Sequence, residues 1–196
     1  MGFKEEFIEI YQSRITRAGS TELLEWLKNT DFFTAPASTK FHCACLGGLV
    51  HHSVSVYHVM TDRYFDPNSD SEESFAICGL LHDVCKAQFY KESVRNVKNE
   101  ETGLWEKRPY YMIEDGYPYG HGEKSVFLIE RFMRLKTSEA IAIRWHMGGF
   151  DESVKGGSFS IGLAYQKYPI AVKLHLADLE STYLCEKGTS SVHDKK

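Results

Sequence analysis

Long apolar runs are missing from this sequence. No stretch approaches the roughly 18–20 consecutive apolar residues that a transmembrane helix needs. The opening segment, MGFKEEFIEI, is charged and contains no apolar region of the kind found in signal peptides. Glu6 also stands where N-myristoylation requires serine or threonine. We therefore predict a cytoplasmic protein with no membrane partner.

The cysteine spacings typical of disulfide-bonded secreted proteins or of structural zinc sites are missing too. The chain has 5 cysteines, an odd number. Cys43 and Cys45 are separated by one residue rather than the two of a zinc knuckle, and no second pair follows. This usage predicts free, mostly buried thiols in a reducing compartment.

An excess of positive charge is likewise missing. The formal net charge of −4 gives no general attraction to nucleic acid or anionic membrane, so we expect no stable binding to duplex nucleic acid. A local basic groove remains compatible with this charge. The 196 residues, 42% of them hydrophobic, suit one domain with a single core. We predict that this domain covers residues 1–188 and that 189–196 form a flexible tail.

Helical patterns dominate what is present. Ser20 is predicted to cap the helix that contains TELLEWL, and Asp70 to cap a helix in which Glu73 completes a capping box. Periodicity and punctuation predict further helices over residues 49–65, 73–89, 121–133, 137–147 and 169–187. The helix at 73–89 is apolar almost all round and should lie at the centre of a bundle.

One segment breaks the helical rhythm. Aromatic and β-branched residues are frequent in FYKESVRNV and LWEKRPYYMI, and KNEETG lies between them. This pattern predicts a β-hairpin within an insertion at about residues 89–118. The predicted fold class is therefore all-α, a helical bundle that carries one small hairpin.

Histidines and aspartates recur at positions that a helical bundle can bring together. The set comprises His52, His82, Asp83, His121, His146 and Asp178. Buried imidazoles and carboxylates are costly unless they are paired or bind a metal, and bundles build metal centres from inward side chains on facing helices. Nitrogen and oxygen donors without thiolate suit one or two divalent ions of Mn, Fe, Co, Ni or Zn.

The order H…HD…H…H…D resembles the HD-domain superfamily of metal-dependent phosphohydrolases. APASTKFHCACLGGLVHHSVSV, LLHDVCK and LHLADLEST are similar to motifs in the HD domain of bacterial 3′–5′ exoribonuclease-like proteins. The similarity extends over roughly residues 32–183. Two positions depart from it: Cys85 replaces a glycine, and Cys43 stands where a second histidine is expected.

The resemblance implies an HD-domain helical bundle and a distribution of ligands. His52, His82, Asp83 and Asp178 would hold a first metal, and Asp83 would bridge to a second, which His121 and His146 complete. A single-metal site remains an alternative. The function implied is a metal-dependent phosphohydrolase, either phosphomonoesterase or phosphodiesterase. It would act on a nucleotide or short oligonucleotide through a metal-activated water.

Asp83, Lys86 and His42 are the candidate catalytic residues. On a continuous helix, Lys86 lies on the face of His82 and Asp83, where its charge can meet phosphate oxygens. The alternative is a surface lysine paired with an acid. His42 lies where the family has a histidine near the mouth of the site, and it either donates a proton to the leaving group or has no such role.

Other polar and aromatic residues keep two interpretations each. His51 is expected to turn away from the metals, His58 and His193 to be structural or exposed, and His175 to orient Asp178 or simply to pack. Arg144 and Lys155 contact a second phosphate or ribose, or are solvated surface charges. The hairpin aromatics either cover the site and stack a base or pack on the helices; they are Tyr90, Trp105, Tyr110, Tyr111, Tyr117 and Tyr119.

Two further functions stay open. Some HD proteins use the same six ligands for a mixed-valent di-iron centre that activates dioxygen. A degenerate HD domain can also bind nucleotides without catalysis. Lys86 and the GGL segment favour hydrolysis over the oxygenase, and the complete ligand set makes the binding module the least favoured of the three.

Overall fold

Glycines set how closely the helices of this chain approach one another. A computed structural model describes residues 2–186. In it, a Cβ atom on Gly79 would lie 2.7 Å from the Tyr57 Cα, and one on Gly122 would lie 2.3 Å from the Arg144 carbonyl oxygen. Because Cβ atoms do not approach other atoms so closely, only glycine allows these two pairs of helices to pack at this distance. Both contacts lie near the histidines described below.

The fold is mainly α-helical with one two-stranded antiparallel sheet. The helices are α1 (Phe3–Arg14), α2 (Ser20–Lys28), α3 (Gly48–Tyr64), α4 (Glu72–Leu81), α5 (His121–Glu130), α6 (Thr137–Trp145), α7 (Glu152–Lys155), α8 (Ser160–Lys167) and α9 (Pro169–Glu180). The strands are β1 (Tyr90–Lys98) and β2 (Trp105–Ile113). Short 3₁₀ turns cover Val84–Lys86 and Gly148–Phe150, and a π-helical turn covers Ser181–Cys185.

Helix α4 lies at the centre of the core, as its apolar sequence predicts. Every residue from Ser74 to Leu81 is buried, and α4 packs against α1, α3, α6 and α9. Helices α3 and α9 also contact each other, as do α5 and α6. The arrangement brings the ends of several helices together beside the C-terminal end of α4.

Two predicted helix caps are wrong. Gly19, at φ 87°, precedes α2, and Ser20 is the first helical residue and caps nothing through its side chain. At α4 the cap is Ser71, whose side chain accepts a hydrogen bond from the Ser74 backbone N–H. Asp70 does not serve because its carboxylate accepts from the Asp66 backbone N–H and from Lys173.

The predicted hairpin is confirmed. Strands β1 and β2 pair from Tyr90↔Ile113 to Lys98↔Trp105. Helices α1, α7 and α8 have no counterpart in the predicted elements. Among residues 2–186, no helix combines the length and apolarity needed to cross a bilayer. The predicted tail at 189–196, with His193, lies outside the described residues.

Candidate metal centre

The His82–Asp83 pair lies at the end of α4 rather than inside a helix. The prediction of one continuous helix over 73–89 is wrong, because α4 ends at Leu81 and Asp83 adopts φ −105° and ψ 19°. Two adjacent residues on a helix would point about 100° apart. This break instead brings the His82 Nε2 within 3.5 Å of the Asp83 Oδ2.

The six predicted ligands converge on this point from different elements. The His52 Nε2, from α3, lies 3.3 Å from the His82 Nε2 and 3.2 Å from the Asp178 Oδ1 of α9. On the other side, the His121 Nε2 at the start of α5 lies 2.8 Å from the Asp83 Oδ1. The His146 Nε2, just after α6, lies 3.5 Å from the same oxygen.

Backbone carbonyls determine which nitrogen of two of these histidines faces the centre. The His82 Nδ1 donates to the Gly79 carbonyl oxygen at 2.9 Å, and the His146 Nδ1 donates to the Ile143 carbonyl oxygen at 2.7 Å. With the proton held at Nδ1, each Nε2 presents a lone pair to the centre. The His146 Nε2 is buried and has no hydrogen-bond partner among residues 2–186. A bound cation would satisfy it.

Glu186 is a site residue that the sequence analysis missed. Its carboxylate is 3% exposed, and its Oε1 accepts from the His52 Nδ1 at 2.9 Å. The Cys43 thiol donates to its other oxygen at 3.3 Å. The π-helical turn positions this residue, because the Glu186 N–H bonds to the Ser181 carbonyl five residues earlier. Its position about two helical turns after Asp178 was the one hint in the sequence.

The electrostatics of the centre reflect two carboxylates that stay charged although buried. Burial disfavours the charged imidazole of His52, but hydrogen bonds with Asp178 and Glu186 outweigh it and raise the pKa of His52 to about 10. Burial also opposes ionisation of Asp178, yet the hydrogen bond from His52 holds its pKa well below the usual range. Burial lowers the pKa of His82 to about 3, so that imidazole is neutral.

On the side of the centre that contains His121, neighbouring charged groups again outweigh the effect of burial on the pKa values. Burial acts to raise the pKa of Asp83, but Lys86 and the neighbouring histidines hold it well below its usual range. Burial acts to lower the pKa of His121, but Cys85 and Asp83 raise it to about 10. Protons on His52 and His121 thus balance the carboxylates, and a divalent cation that binds here displaces them.

The donor atoms fit one ion or two adjacent ions. Among the six predicted ligands, three triads each have ligand atoms within 4.8 Å of one another; they are His52–His82–Asp83, His82–His146–Asp178 and Asp83–His121–His146. The triads share members, so neighbouring ions would share ligands. Imidazole nitrogens and carboxylate oxygens suit Mn, Fe, Co, Ni or Zn. The residues present therefore fit the divalent ions expected from the sequence.

The other two candidate catalytic residues lie beside the centre. The Lys86 Nζ donates to the Asp83 Oδ2 at 2.6 Å, and the Lys86 side chain is only 12% exposed, so it is no ordinary surface lysine. The ring of His42 lies 4.7 Å from that of His52. Burial lowers the pKa of His42 to about 4. An imidazole that is neutral at pH 7 would first have to gain a proton to act as the predicted acid.

The remaining histidines within residues 2–186 have structural contacts. His51 stacks on Phe3 at 3.9 Å, turned away from the centre as expected. His58 pairs with Glu6 at 2.8 Å. The His175 Nδ1 donates to the His146 carbonyl oxygen at 2.6 Å. His175 therefore supports the backbone of His146 and does not hold Asp178.

A cleft of about 750 Å³ opens onto the centre. Asp83, Lys86, His42, His121 and Asp178 line it, and so does Glu186. Of the hairpin aromatics proposed as a cover, Tyr90 is the one that lines this cleft within the described part of the chain. Trp105 is 70% exposed at the far end of the hairpin, because the strands run away from the helices.

The loop charges separate into one structural and one accessible cation. Arg144 pairs with Glu123 at 2.5 Å and with Asp151 at 2.7 Å, so it anchors a loop and is not available to substrate. Lys155 lines the cleft, is exposed, and makes no ion pair with any residue from 2 to 186. Of these two residues, only Lys155 is therefore available to contact a phosphate.

No protein-family model, no curated protein and no solved structure matches this chain. The interpretation of the site rests on its motifs and on the geometry of its side chains.

Proposed function

We propose that this chain is an HD-type, metal-dependent phosphohydrolase that acts on a nucleotide or short oligonucleotide. One observation carries the proposal. The six side chains selected by the order H…HD…H…H…D, from residue 52 to residue 178, form three overlapping triads whose ligand atoms lie within 4.8 Å of one another, and three of the six side chains line one cleft. A cytoplasmic location, as the sequence predicts, is part of the same proposal.

One or two divalent ions would be held by the six side chains. His52, His82, Asp83 and Asp178 would hold one, and Asp83 would share the other with His121 and His146. When bound, such ions supply Lewis-acid chemistry, which lowers the pKa of water and neutralises phosphoryl charge.

Asp83 orients groups on both of its sides. Its Oδ1 faces His121 and His146, and its Oδ2 faces His52, His82 and Lys86. A single carboxylate thus links the two halves of the centre.

Lys86 supplies a fixed positive charge at the cleft wall. Its pKa is raised because the attraction of Asp83 outweighs burial, so the ammonium stays charged. The Lys86 Nζ, held beside the Asp83 carboxylate, would donate to phosphoryl oxygens of a bound substrate and stabilise charge that develops there. Lys40 and Lys155 add two more cations to the same cleft. This set of charges suits an anionic substrate.

The test is a hydrolysis panel combined with metal analysis of the full chain. We expect bound Mn, Fe, Co, Ni or Zn by elemental analysis, and turnover of at least one member of a set of mono-, di-, tri- and cyclic nucleotides and short RNA. Asp83→Ala and His82→Ala should lose metal and turnover together, by about a thousandfold or more in rate. His58→Ala, remote from the centre, is the matched control and should retain both.

Absence of phosphoester turnover by the metal-loaded protein contradicts the proposal. The oxygenase alternative uses the same six residues, and the cleft lysines are what favours phosphate chemistry over it. Oxygen consumption and a mixed-valent iron signal in electron paramagnetic resonance would support the oxygenase instead. Nucleotide binding without turnover of any kind would support a binding module.

A further inference from the structure

Three aromatic side chains are exposed inside the cleft. Phe41 is 66% exposed, Phe150 is 51% exposed and Tyr183 is 58% exposed, and all three line the cavity that opens onto the candidate metal centre. They come from three separate segments, so the aromatic character belongs to the cleft and not to one loop. Exposed apolar rings in a concave site adjoining polar groups are typical of ligand binding.

Lysines accompany two of these rings. The Lys40 Nζ lies 5.3 Å from the centre of the Phe41 ring and covers part of one face. Lys155 lies on the short helix that follows Phe150. Neither lysine makes an ion pair within residues 2–186. Each ring therefore lies close in sequence to a cation that is free to meet a phosphate.

The charges of the cleft divide between its floor and its outer part. The acids that line it are Asp83, Asp178 and Glu186, and all three are engaged with the histidines of the centre. Lys40 and Lys155 are exposed, and no acid within the described chain lines the cavity beside them. The outer cleft thus combines apolar rings with positive charge, which is the chemistry of single-stranded nucleic acid binding.

We propose that Phe41 and Phe150, together with Lys40 and Lys155, form a subsite for the nucleotide next to the scissile phosphate. A base stacks on an exposed ring and the neighbouring phosphate meets a lysine. This inference rests on the proposed phosphohydrolase function and narrows it: the substrate is a phosphodiester in a short single strand rather than a phosphomonoester. Hydrolysis breaks one P–O bond, adds the hydroxyl of water to phosphorus and leaves the proton on the departing ribose oxygen.

The volume of the cleft supports the assignment of a phosphodiester substrate. A phosphomonoester needs contacts at its phosphate and little more, whereas 750 Å³ lies in the upper part of the range for sites that enclose whole ligands.

The test measures binding separately from cleavage. The full chain with its bound metal is titrated with a fluorescein-labelled tetra-adenylate that carries hydrolysis-resistant phosphorothioate linkages, and anisotropy is recorded. Ribose and deoxyribose forms are both used, together with an abasic strand of equal length. We expect Phe41→Ala and Phe150→Ala to weaken binding of the adenylate about five- to a hundredfold and to leave binding of the abasic strand almost unchanged.

Lysine variants report on the phosphate. Lys155→Gln should weaken binding of both strands and lower the slope of log affinity against log salt by about 1. The matched controls are Phe159→Ala, since Phe159 is 89% exposed outside the cleft, and Lys167→Gln on α8. Both should stay within about twofold of the unmodified chain.

Two results overturn the subsite. One is equal affinity of the unmodified chain for the adenylate and abasic strands, and the other is an effect of the cleft variants no larger than that of the controls. The outcome is separable from that of the hydrolase proposal. If no phosphoester is turned over but the variants behave as expected, the cleft binds a single strand through these residues and the hydrolase proposal fails. If mononucleotides are hydrolysed and the variants bind like the unmodified chain, the subsite fails.

Discussion

Replacing Glu186 with glutamine tests whether this residue positions a metal ligand. Its carboxylate accepts the His52 Nδ1–H at 2.9 Å, and the residue is 3% exposed. Glutamine keeps the size and an acceptor oxygen but removes the charge. The imidazole therefore becomes a weaker electron donor and a less firmly oriented one.

The expected loss of metal affinity follows from removing a charged hydrogen-bond partner of His52. Replacing a group that supports a metal-binding histidine typically costs about 10–100-fold in metal affinity, or about 1.4–2.7 kcal/mol. Because Glu186 lies on the side of His52 away from the metal position, the other ligands should keep their arrangement. The loss should thus be partial, unlike that from Asp83→Ala.

The assay is a competition titration of Mn²⁺ or Co²⁺ against a fluorescent chelator at constant pH, with unfolding followed in parallel. Glu180→Gln is the matched control, because Glu180 lies on α9 and pairs with Arg63 at 2.8 Å, outside the centre. If Glu186→Gln binds the metal as tightly as Glu180→Gln does, then the carboxylate does not support His52 and the reasoning is refuted.

Three further outcomes are expected. The pKa of His52 is raised from 6.5 to about 10 in the folded protein, so its contribution to stability is full below pH 6.5 and is lost as pH rises through 10. The free energy of unfolding of the chelator-treated protein should therefore fall by on the order of a few kcal/mol between pH 7 and 10. Denaturant titrations that show no such fall contradict this. Gly79→Ala should destabilise the protein by about 1–3 kcal/mol and weaken metal binding, because its Cβ would lie 2.7 Å from the Tyr57 Cα. Thermal and chemical unfolding measure the loss of stability. In the control Gly162→Ala, the added Cβ meets nothing within 4 Å, so this variant should be neutral or stabilising. Chelation should abolish phosphoester hydrolysis and Mn²⁺ should restore it, whereas hydrolysis that persists in excess chelator would show that no metal is needed.

Helix α4, which ends just before His82, shows where sequence patterns stop being informative. Apolar periodicity correctly predicted a buried helix, because every side of α4 meets another helix. It also predicted continuation to residue 89, whereas the chain leaves the helix at Leu81. Nothing in the local sequence marks this end, since neither glycine nor proline follows. Contacts with α5, such as the Cys85 N–H donating to the Ser125 Oγ, accompany the break.

The cleft shows the same limit for substrate-binding residues. The hairpin aromatics are dense in the sequence, but within the described residues Tyr90 is the one of them that lines the cleft. Phe41, Phe150 and Tyr183 are isolated in the sequence and meet only in the folded chain.

The sequence by itself determined the helical class, the hairpin and the six residues that meet at one point, because side-chain chemistry and periodicity are properties of residue type and order. Only the tertiary structure decided that Asp83 contacts Lys86 and four histidines, that Glu186 supports His52, and that Arg144 is structural. These depend on where a helix ends and on hydrogen bonds between residues up to 143 positions apart. Such contacts arise from packing of the whole chain, and no local pattern encodes them.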